Sequence, residues 1–276
     1  LAKKLKNQGF FVRVADIKKH EYMAHEDICH EFIQCDLADP RAVEEVIFED
    51  CYELYQLAAD MGGAGYIFTG LNDANVMTNS ALINLNVAKE AVKKKVQKVF
   101  YSSSACIYPE HNQLDPTNPN CVESSAYPAN PDSEYGWEKL FSERLYLSFF
   151  RNYGLNVRIA RFHNIFGPQG TWKGGKEKAP AAMCRKISET EDGGEIEVWG
   201  DGLQTRSFLY VDECVEAVIR LMNNEFIGPV NIGSEEMVTI NQLAEMVIKL
   251  SDKDIKIKNI ANKKEIINNQ FLKYVQ

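Results

Sequence analysis

Residues 99–104 have the sequence Val-Phe-Tyr-Ser-Ser-Ser, a short apolar run that ends in small hydroxyl side chains. Three earlier runs of the same kind end at Asp16, at Asp36 and at residues 59–60. Longer segments with helical periodicity separate these runs, and this alternation is typical of βα units on a parallel sheet. In an open sheet of that kind, ligand contacts lie at the carboxyl ends of the strands. We therefore predict an α/β fold whose functional site lies along this edge.

Two longer helices are predicted beside the sheet. Residues 75–95 carry apolar side chains at helical spacing and end in lysines, which interact favourably with the negative end of a helix dipole. A second helix is predicted over residues 135–153 and is ended by Gly154. Beyond Asn164 the pattern becomes less regular, which indicates a smaller second lobe. The Lys/Asn/Ile-rich residues 252–276 allow no assignment of structure.

Composition excludes several classes of function. The 276 residues include 45% apolar side chains, enough to bury a core, and carry a formal net charge of -8. An acidic chain is poorly suited to a phosphate backbone, so nucleic acid is not an expected partner. No apolar run approaches the roughly 20 residues that span a bilayer, and no secretory signal is present, so we expect no membrane association and a cytoplasmic location. Seven cysteines without CxxC spacing predict reduced thiols, with neither disulfides nor a metal site.

Asp16 and Asp36 occupy positions at which a dinucleotide fold holds its cofactor. An acid at the end of a strand accepts hydrogen bonds from the adenosine ribose and favours NAD over NADP. Asp36 has the matching place one strand further on. Each residue also has an ordinary alternative: Asp16 caps the next turn, and Asp36 caps the helix that begins at Pro40. The residues alone leave both alternatives open.

Tyr135 and Lys139 are four residues apart, so a helix places both side chains on one face. Tyrosine has an unperturbed pKa of about 10, and a fixed ammonium nearby is expected to lower that pKa by favouring the phenolate. A phenolate can accept the proton of a substrate hydroxyl. Ser104, at the end of a predicted strand, can hold the same substrate oxygen. A surface Tyr/Lys pair is the plain alternative, since this spacing alone is common on amphipathic helices.

Taken in chain order, the acid after a strand, the strand-ending serines and the Tyr/Lys pair resemble the extended short-chain dehydrogenase/reductase family of sugar-nucleotide enzymes. The match covers roughly residues 1–250. The resemblance implies a Rossmann-type parallel sheet with helices on both faces, and NAD as the cofactor. It places Ser104 and Tyr135 at the sugar hydroxyl that is oxidised, and Lys139 at the nicotinamide ribose. Tyr135 and Lys139 are thus expected to contact NAD as well.

The resemblance also divides the chain. Residues 1–165 are expected to form the NAD-binding Rossmann domain and residues 166–276 mainly a nucleotide-sugar-binding lobe, with interleaving of the two left open. The family's first strand and glycine-rich loop would precede Leu1 and are not in this sequence, so we expect this polypeptide to bind NAD weakly. A homodimer is the assembly expected from the family.

Cys106 distinguishes this chain from many members of the family, which carry threonine at its position. A thiol has a pKa of about 8.5, and nearby cations lower it. A thiolate at the sugar ring could therefore remove a carbon-bound proton that an adjacent ketone has made acidic. A buried structural thiol is the alternative. By resemblance, Cys106 and Lys178 form an acid/base pair on opposite faces of the ring.

Five long strings carry the closer resemblance to epimerases of the family: residues 59–63, 103–110, 161–168, 170–182 and 199–207. They imply transient oxidation at C4 of a nucleoside-diphosphate sugar, GDP-mannose in particular, with proton exchange at C5 and C3. The implied substrate contacts are Gly62, Ser104, Ala105, Cys106, Asn164, Glu177, Lys178, Ala179, Lys186, Gln204, Thr205 and Arg206. A basic cluster suited to a diphosphate accompanies them: Lys173, Lys176, Lys178, Arg185, Lys186 and Arg206.

Two other functions are open at this point. A sibling 4-epimerase or dehydratase for another nucleotide sugar would use the same core of Ser104, Tyr135 and Lys139. The second open function is that of a non-catalytic protein that kept the fold and lost its cofactor, because a fold does not determine a function. The presence of Cys106 and Lys178 argues against it, since a scaffold has no chemical need for them.

Overall fold

The computed structural model describes residues 1–115 and 119–261. Its α-helices are α1 (Ala2–Asn7), α2 (His25–Ile28), α3 (Pro40–Val46), α4 (Ala64–Ile67), α5 (Asp73–Lys93), α6 (Glu134–Tyr153), α7 (Ala179–Glu189), α8 (Val211–Met222) and α9 (Ile240–Ser251). Its strands are β1 (Arg13–Asp16), β2 (Glu31–Gln34), β3 (Glu53–Gln56), β4 (Lys98–Ser104), β5 (Val157–Phe162), β6 (Asn164–Phe166), β7 (Glu195–Trp199), β8 (Thr205–Tyr210), β9 (Val230–Ile232), β10 (Met237–Thr239) and β11 (Lys256–Ile260). Single 3-10 turns cover Ala105–Ile107, Glu110–Gln113 and Glu123–Ala126.

The central sheet has the strand order β3-β4-β5-β9, and every pairing in it is parallel. The register of β4 with β5 places Ser104 opposite Phe162. A second parallel pair, β1 with β2, is hydrogen-bonded separately from β3. Tyr55 of β3 nevertheless packs against the cluster of Leu5 and Val12 that surrounds α1 and β1. The α/β class with a parallel sheet that the sequence predicts is therefore confirmed.

Helices cover both faces of the central sheet. Successive side chains of β4 point to opposite faces, so each face has apolar side chains for helices to pack on. Val99 and Tyr101 pack in one apolar cluster with side chains of α3, α5 and α6. Phe100 lies on the other face with Cys214 and Val218 of α8. Phe100 is 0% exposed, and full burial of a side chain of this size contributes about 1.5–3 kcal/mol. The strand that ends at the predicted site is thus held from both sides.

Local sequence signals determine where α6 begins and ends. The Ser133 hydroxyl accepts the Gly136 N–H at 3.3 Å, which caps the amino terminus. Gly154 ends the helix at φ 69°, a left-handed conformation that glycine adopts without strain. The helix begins one residue before the predicted start. Tyr135 therefore lies in its first turn, directly beyond the carboxyl end of β4.

The residues after β5 form a less regular arrangement. One sheet has the order β10-β8-β6, and β7 pairs in parallel with β11. α7 and α9 pack on these strands through a cluster that includes Ile187, Ile196 and Leu243. β9 returns to the central sheet beside β5. Of residues 252–276, for which the sequence supports no assignment, those up to 261 include β11, and the rest lie outside the described residues.

None of the helices within the two described ranges combines the length and apolar character that a bilayer crossing needs.

Candidate active site

The end of β4 and the start of α6 bring Ser104, Tyr135 and Lys139 together. The Ser104 side chain hydrogen-bonds to the Tyr135 hydroxyl and accepts the Cys106 N–H at 3.2 Å. Lys139 Nζ lies 5.7 Å from the centroid of the Tyr135 ring and donates to the Ser102 carbonyl oxygen at 2.8 Å. The predicted trio therefore forms one cluster, and the surface Tyr/Lys alternative is wrong, because Tyr135 is 7% exposed and Lys139 2%.

Burial dominates the protonation of this cluster. It raises the pKa of Tyr135, with a further increase from Cys106, while the hydrogen bond from Ser104 works in the opposite direction. Burial also lowers the pKa of Lys139, and the nearby Glu138 and Cys106 partly offset that change. The expected lowering of the Tyr135 pKa is therefore wrong for this arrangement. The cost of desolvating a phenolate is the largest effect on Tyr135, and the neighbouring Cys106 and Glu138 add to it.

Cys106 and Lys178 each influence the pKa of the other. Cys106 lies in the 3-10 turn after β4, where burial raises its pKa, and Ser104, Lys178 and Arg206 lower it in part. Lys178 precedes α7; burial lowers its pKa, and Cys106 opposes that shift. The geometry brings the two segments together, because Tyr66 packs in the same cluster as Tyr135 and Cys106, and Lys176, two residues before Lys178, lies over the Tyr66 ring. Cys106 also packs against the Tyr135 cluster.

The segment before Lys178 packs against residues 59–63. The Gly63 N–H donates to the Lys176 carbonyl oxygen at 2.9 Å. A Cβ at Gly63 would overlap the Glu177 carbonyl oxygen, so only glycine allows this approach. Lys176 Nζ lies 3.8 Å above the Tyr66 ring and 3.6 Å from Asp60 Oδ1. These contacts bring two distant parts of the chain, including the buried Gly62, to one place.

Several predicted substrate residues already have partners within the protein. Asn164 Nδ2 donates to the Ser207 carbonyl oxygen at 3.1 Å, and Lys186 Nζ donates to the Glu197 carbonyl oxygen at 2.6 Å. Gln204 Nε2 donates to the Trp199 carbonyl oxygen at 3.1 Å. Thr205 begins β8 opposite Thr239 of β10. Ala105 and Ala179 pack at the edges of apolar clusters.

Only some members of the predicted basic cluster lie near the candidate active site. Arg185 pairs with Glu177 and with Glu189, each at 3.2 Å. Burial acts to raise the pKa of Glu177, but backbone hydrogen bonds and Arg185 bring it below its ordinary value. Lys178 and Arg206 are the members that influence Cys106. The cluster therefore divides into structural pairs and a smaller group beside the thiol.

Asp16 and Asp36 have different surroundings. Asp16 Oδ1 accepts the Lys18 N–H at 2.9 Å, which is the turn-capping alternative. Asp16 also lines a cavity of about 170 Å³ between the β1–β2 pair and residues 169–171. Asp36 Oδ1 accepts the Ala38 N–H at 2.9 Å, but α3 is capped by Asp39. The helix-capping alternative for Asp36 is therefore wrong.

Sequence reasoning missed a buried polar network beneath the site. Arg161 and Glu143 form an ion pair at 2.9 Å with side chains 2% and 3% exposed. Ser103 Oγ donates to Glu143 Oε1 at 2.6 Å. On the other side of α6, Glu138 Oε1 accepts from Asn84 and Ser142. One signal could have revealed this network. Glu138 and Glu143 occupy positions of α6 that its apolar side chains otherwise bury.

Known proteins resemble this chain in sequence and in fold. The model of the NAD dependent epimerase/dehydratase family matches residues 1–233. GDP-mannose 3,5-epimerase of Arabidopsis thaliana is 47% identical over 262 residues, 94% of this chain and 68% of that protein. GDP-mannose 3,5-epimerase 1 of Oryza sativa subsp. indica is 45% identical over 94% of this chain and 67% of that protein. The crystal structure of UDP-glucose 4-epimerase with UDP-glucose from Thermotoga maritima gives a TM-score of 0.79 at 25% identity, covering 94% of this chain and 80% of that chain. The family predicted from the sequence is confirmed: this chain belongs to the NAD-dependent epimerase/dehydratase family.

Proposed function

We propose that the protein is an isomerase that inverts C3 and C5 of GDP-mannose and uses NAD as its cofactor. The observation that carries the proposal is the packing of Cys106 in the Tyr135 cluster, which also includes Tyr66, together with the seating of the segment before Lys178 on Gly63 and Tyr66. A 4-epimerase needs only a hydroxyl acid/base and a hydride acceptor, whereas exchange of ring protons needs a further acid/base couple. The 47% identity to GDP-mannose 3,5-epimerase of Arabidopsis thaliana supports the same conclusion.

The residues present fit NAD at the carboxyl edge of the parallel strands. Within the described ranges, Lys139 Nζ has the Ser102 carbonyl as its hydrogen-bond acceptor. An ammonium has three N–H donors, so this buried group retains capacity for ribose hydroxyls. Asp16 stands at the end of β1 beside a cavity, where its carboxylate would hold the adenosine ribose, and Asp36 is assigned to the same cofactor. When bound, NAD supplies a reversible hydride acceptor for C4 of the sugar.

Tyr135 would move the proton of the C4 hydroxyl. Its Oη must first be ionised, which burial opposes and the Ser104 hydrogen bond favours. The phenolate then accepts the proton while the Ser104 hydroxyl holds the same substrate oxygen, and the proton returns when C4 is reduced again. A C–H bond flanked by ordinary hydroxyls is too weak an acid for a side chain, but a C4 ketone brings the C3 and C5 protons within reach of general-base catalysis. This requirement explains why an epimerase with no net redox change uses a redox cofactor.

Cys106 and Lys178 would then exchange the ring protons. A thiolate at Cys106 Sγ removes a proton from one face, and the ammonium of Lys178 donates one to the other face, so charge and protons balance over the step. Burial raises the pKa of the Cys106 thiol and lowers that of the Lys178 ammonium, while the attraction between the two charges opposes both shifts. Each group therefore stabilises in the other the charged form that this step requires.

The other predicted contacts are assigned to the substrate as a set. Arg206, which influences Cys106, is assigned to the diphosphate because a guanidinium binds phosphate oxygens in bidentate fashion. The remaining contacts proposed are Gly62, Ala105, Asn164, Glu177, Ala179, Lys186, Gln204 and Thr205. We assign residues 1–165 to cofactor binding and residues 166–276 mainly to the nucleotide sugar, with β9 interleaved into the central sheet.

A homodimer through α5 and α6 is part of the proposal. Leu82, Trp137 and Phe141 on these helices are 41%, 40% and 46% exposed, an apolar surface that pairing would cover. A reducing, cytoplasmic location fits the seven free cysteines. Light scattering should give twice the chain mass, and Phe141→Glu should halve it. A monomeric wild-type protein would contradict the dimer.

Deuterium exchange tests the reaction directly. The purified protein is incubated with GDP-mannose in deuterated water and with NAD in large excess, because weak NAD binding is expected, and NMR locates deuterium in the recovered sugars. We expect deuterium at C3 and C5 and a galactose-configured product. Inversion at C4 alone, or loss of water from the sugar, would instead identify a sibling 4-epimerase or dehydratase. No conversion of any nucleotide sugar, with NAD demonstrably bound, would favour the non-catalytic alternative.

A further inference from the structure

The Arg161–Glu143 pair forms a rigid fork beneath the site. Arg161 Nε and Nη2 donate to the two carboxylate oxygens of Glu143, each at 2.9 Å. Both side chains are almost completely buried. Placing two charges in the interior is costly, and a pair of this kind is often no more stabilising than apolar side chains of equal volume. Its distinctive property is geometric, because a bidentate pair restricts direction as well as distance.

This fork is connected to the site at two points. Glu143 Oε1 accepts from Ser103 Oγ at 2.6 Å, next to Ser104. Arg161 Nη1 donates to the Tyr108 hydroxyl at 3.2 Å, and the guanidinium carbon lies 5.1 Å from the centroid of the Tyr108 ring. One ion pair therefore holds both the strand end that carries Ser104 and the residue that follows the Cys106 turn.

Tyr108 has little freedom to move. It is 0% exposed, and its hydroxyl donates to Asn231 Oδ1 of β9 at 2.7 Å. Its N–H donates to the Ala105 carbonyl oxygen at 3.2 Å and closes the turn that contains Cys106. On the opposite side, a Cβ at Gly136 would overlap the Cys106 carbonyl oxygen. The backbone of Cys106 is thus confined between the anchored Tyr108 and the first turn of α6.

We propose that Tyr108, held by the Arg161–Glu143 fork, is a positioning residue that sets where the Cys106 sulfur lies relative to Tyr135. The proposal rests on the proposed function, in which Cys106 exchanges a ring proton. Tyr108 acts through Cys106 and does not touch the reacting atoms. The ring-proton step should therefore depend on the Tyr108 hydroxyl more than the C4 step does. The C4 step uses Tyr135 and Ser104, and removing the Tyr108 hydroxyl leaves the Ser103–Glu143 hydrogen bond beside Ser104 in place.

Tyr108→Phe removes one oxygen atom and keeps the buried ring. A misplacement of about 1 Å costs on the order of 100-fold in rate, so we expect deuterium exchange at C3 and C5 to fall by roughly 10- to 100-fold. Oxidation at C4, followed as the nicotinamide absorbance change after rapid mixing, should change by less than about threefold on the same reasoning. Arg161→Lys keeps the charge but loses the fork, which holds Ser103 as well as Tyr108, so it should lower both rates, in contrast to the selective loss in Tyr108→Phe.

Tyr146→Phe is the matched control. Tyr146 is also 0% exposed, and its hydroxyl also hydrogen-bonds to an asparagine Oδ1, that of Asn84 at 3.3 Å. The control loses the same atom from an equally buried ring without disturbing the Cys106 turn. In this control, we expect the rate of deuterium exchange at C3 and C5 and the rate of oxidation at C4 to change by the same factor. Melting temperatures of both variants show whether stability losses are comparable.

A second measurement needs neither cofactor nor substrate. The rate of iodoacetamide alkylation at Cys106, followed by mass spectrometry over a pH series, reports the thiolate population of that residue. Tyr108→Phe should shift this profile, and Tyr146→Phe should leave it unchanged. If Tyr108→Phe matches the control in both measurements, or lowers oxidation and exchange equally, the positioning role is wrong. If the wild-type protein exchanges neither C3 nor C5, the proposed function fails, while the alkylation profile still decides the positioning role.

Discussion

Gly136→Ala should destabilise the protein and slow its reaction, although alanine is the better helix former. In a helix interior this change alone stabilises by about 1 kcal/mol. At Gly136, however, a Cβ would overlap the Cys106 carbonyl oxygen and lie 2.8 Å from Pro131 Cβ. Neither neighbour is the flexible end of a side chain, so we take the upper part of the overpacking range, about 3 kcal/mol. The net expectation is a destabilisation of about 2 kcal/mol, the difference between these two effects.

Activity should fall as well, because the overlap can be relieved only by separating the Cys106 turn from the first turn of α6. That separation moves the sulfur away from Tyr135 by roughly 1 Å, which corresponds to a loss on the order of 100-fold. Calorimetric melting should show a decrease of roughly 2–4 °C for each kcal/mol lost.

Gly170→Ala provides the control for this substitution. Its added Cβ meets nothing nearer than 3.8 Å, so its melting temperature should stay close to that of the wild-type protein. A Gly136→Ala protein that melts higher than the wild type and keeps full activity would show that the close approach of α6 to Cys106 is absent.

Three further predictions concern single groups. Tyr135→Phe should lower kcat by roughly 100- to 10,000-fold, the usual contribution of a positioned proton acceptor, with the binding of GDP-mannose, measured by calorimetry, little changed. Cys106→Ser and Lys178→Met should each keep oxidation at C4 in rapid mixing but lose deuterium exchange in NMR spectra, and retained exchange in both would rule out their pairing. Glu177 has a pKa below its ordinary 4.5 in the folded protein, so it stabilises the fold above about that pH and the contribution disappears as pH falls through the folded pKa. Melting temperatures from pH 3 to 6 should therefore fall less steeply for Glu177→Gln.

Local patterns were enough to predict the elements that carry the Ser104/Tyr135/Lys139 trio. The hydroxyl-rich end of β4 and the glycine that ends α6 are short-range signals, and a four-residue spacing places Tyr135 and Lys139 on one helix face whatever the rest of the chain does. The boundaries moved by only one or two residues because capping decides them, and caps are local.

Electrostatics could not be predicted in the same way. From spacing alone, Lys139 was expected to lower the pKa of Tyr135, whereas burial raises it. Burial depends on how helices pack on the sheet, which the spacing of two residues does not reveal. The same limitation applies to Arg185, expected at a diphosphate but paired with Glu177.

The sequence by itself determined the α/β class and the family and supplied the candidate reactive side chains, because periodicity, caps and long matched strings are properties of neighbouring residues. Tertiary structure decided that the segment before Lys178 packs on Gly63, and that Arg161, Glu143 and Tyr108 form one buried network beside the turn that contains Cys106. Such contacts join residues far apart in the chain. Their distances and charge states follow from packing and desolvation, which exist only once the chain has folded.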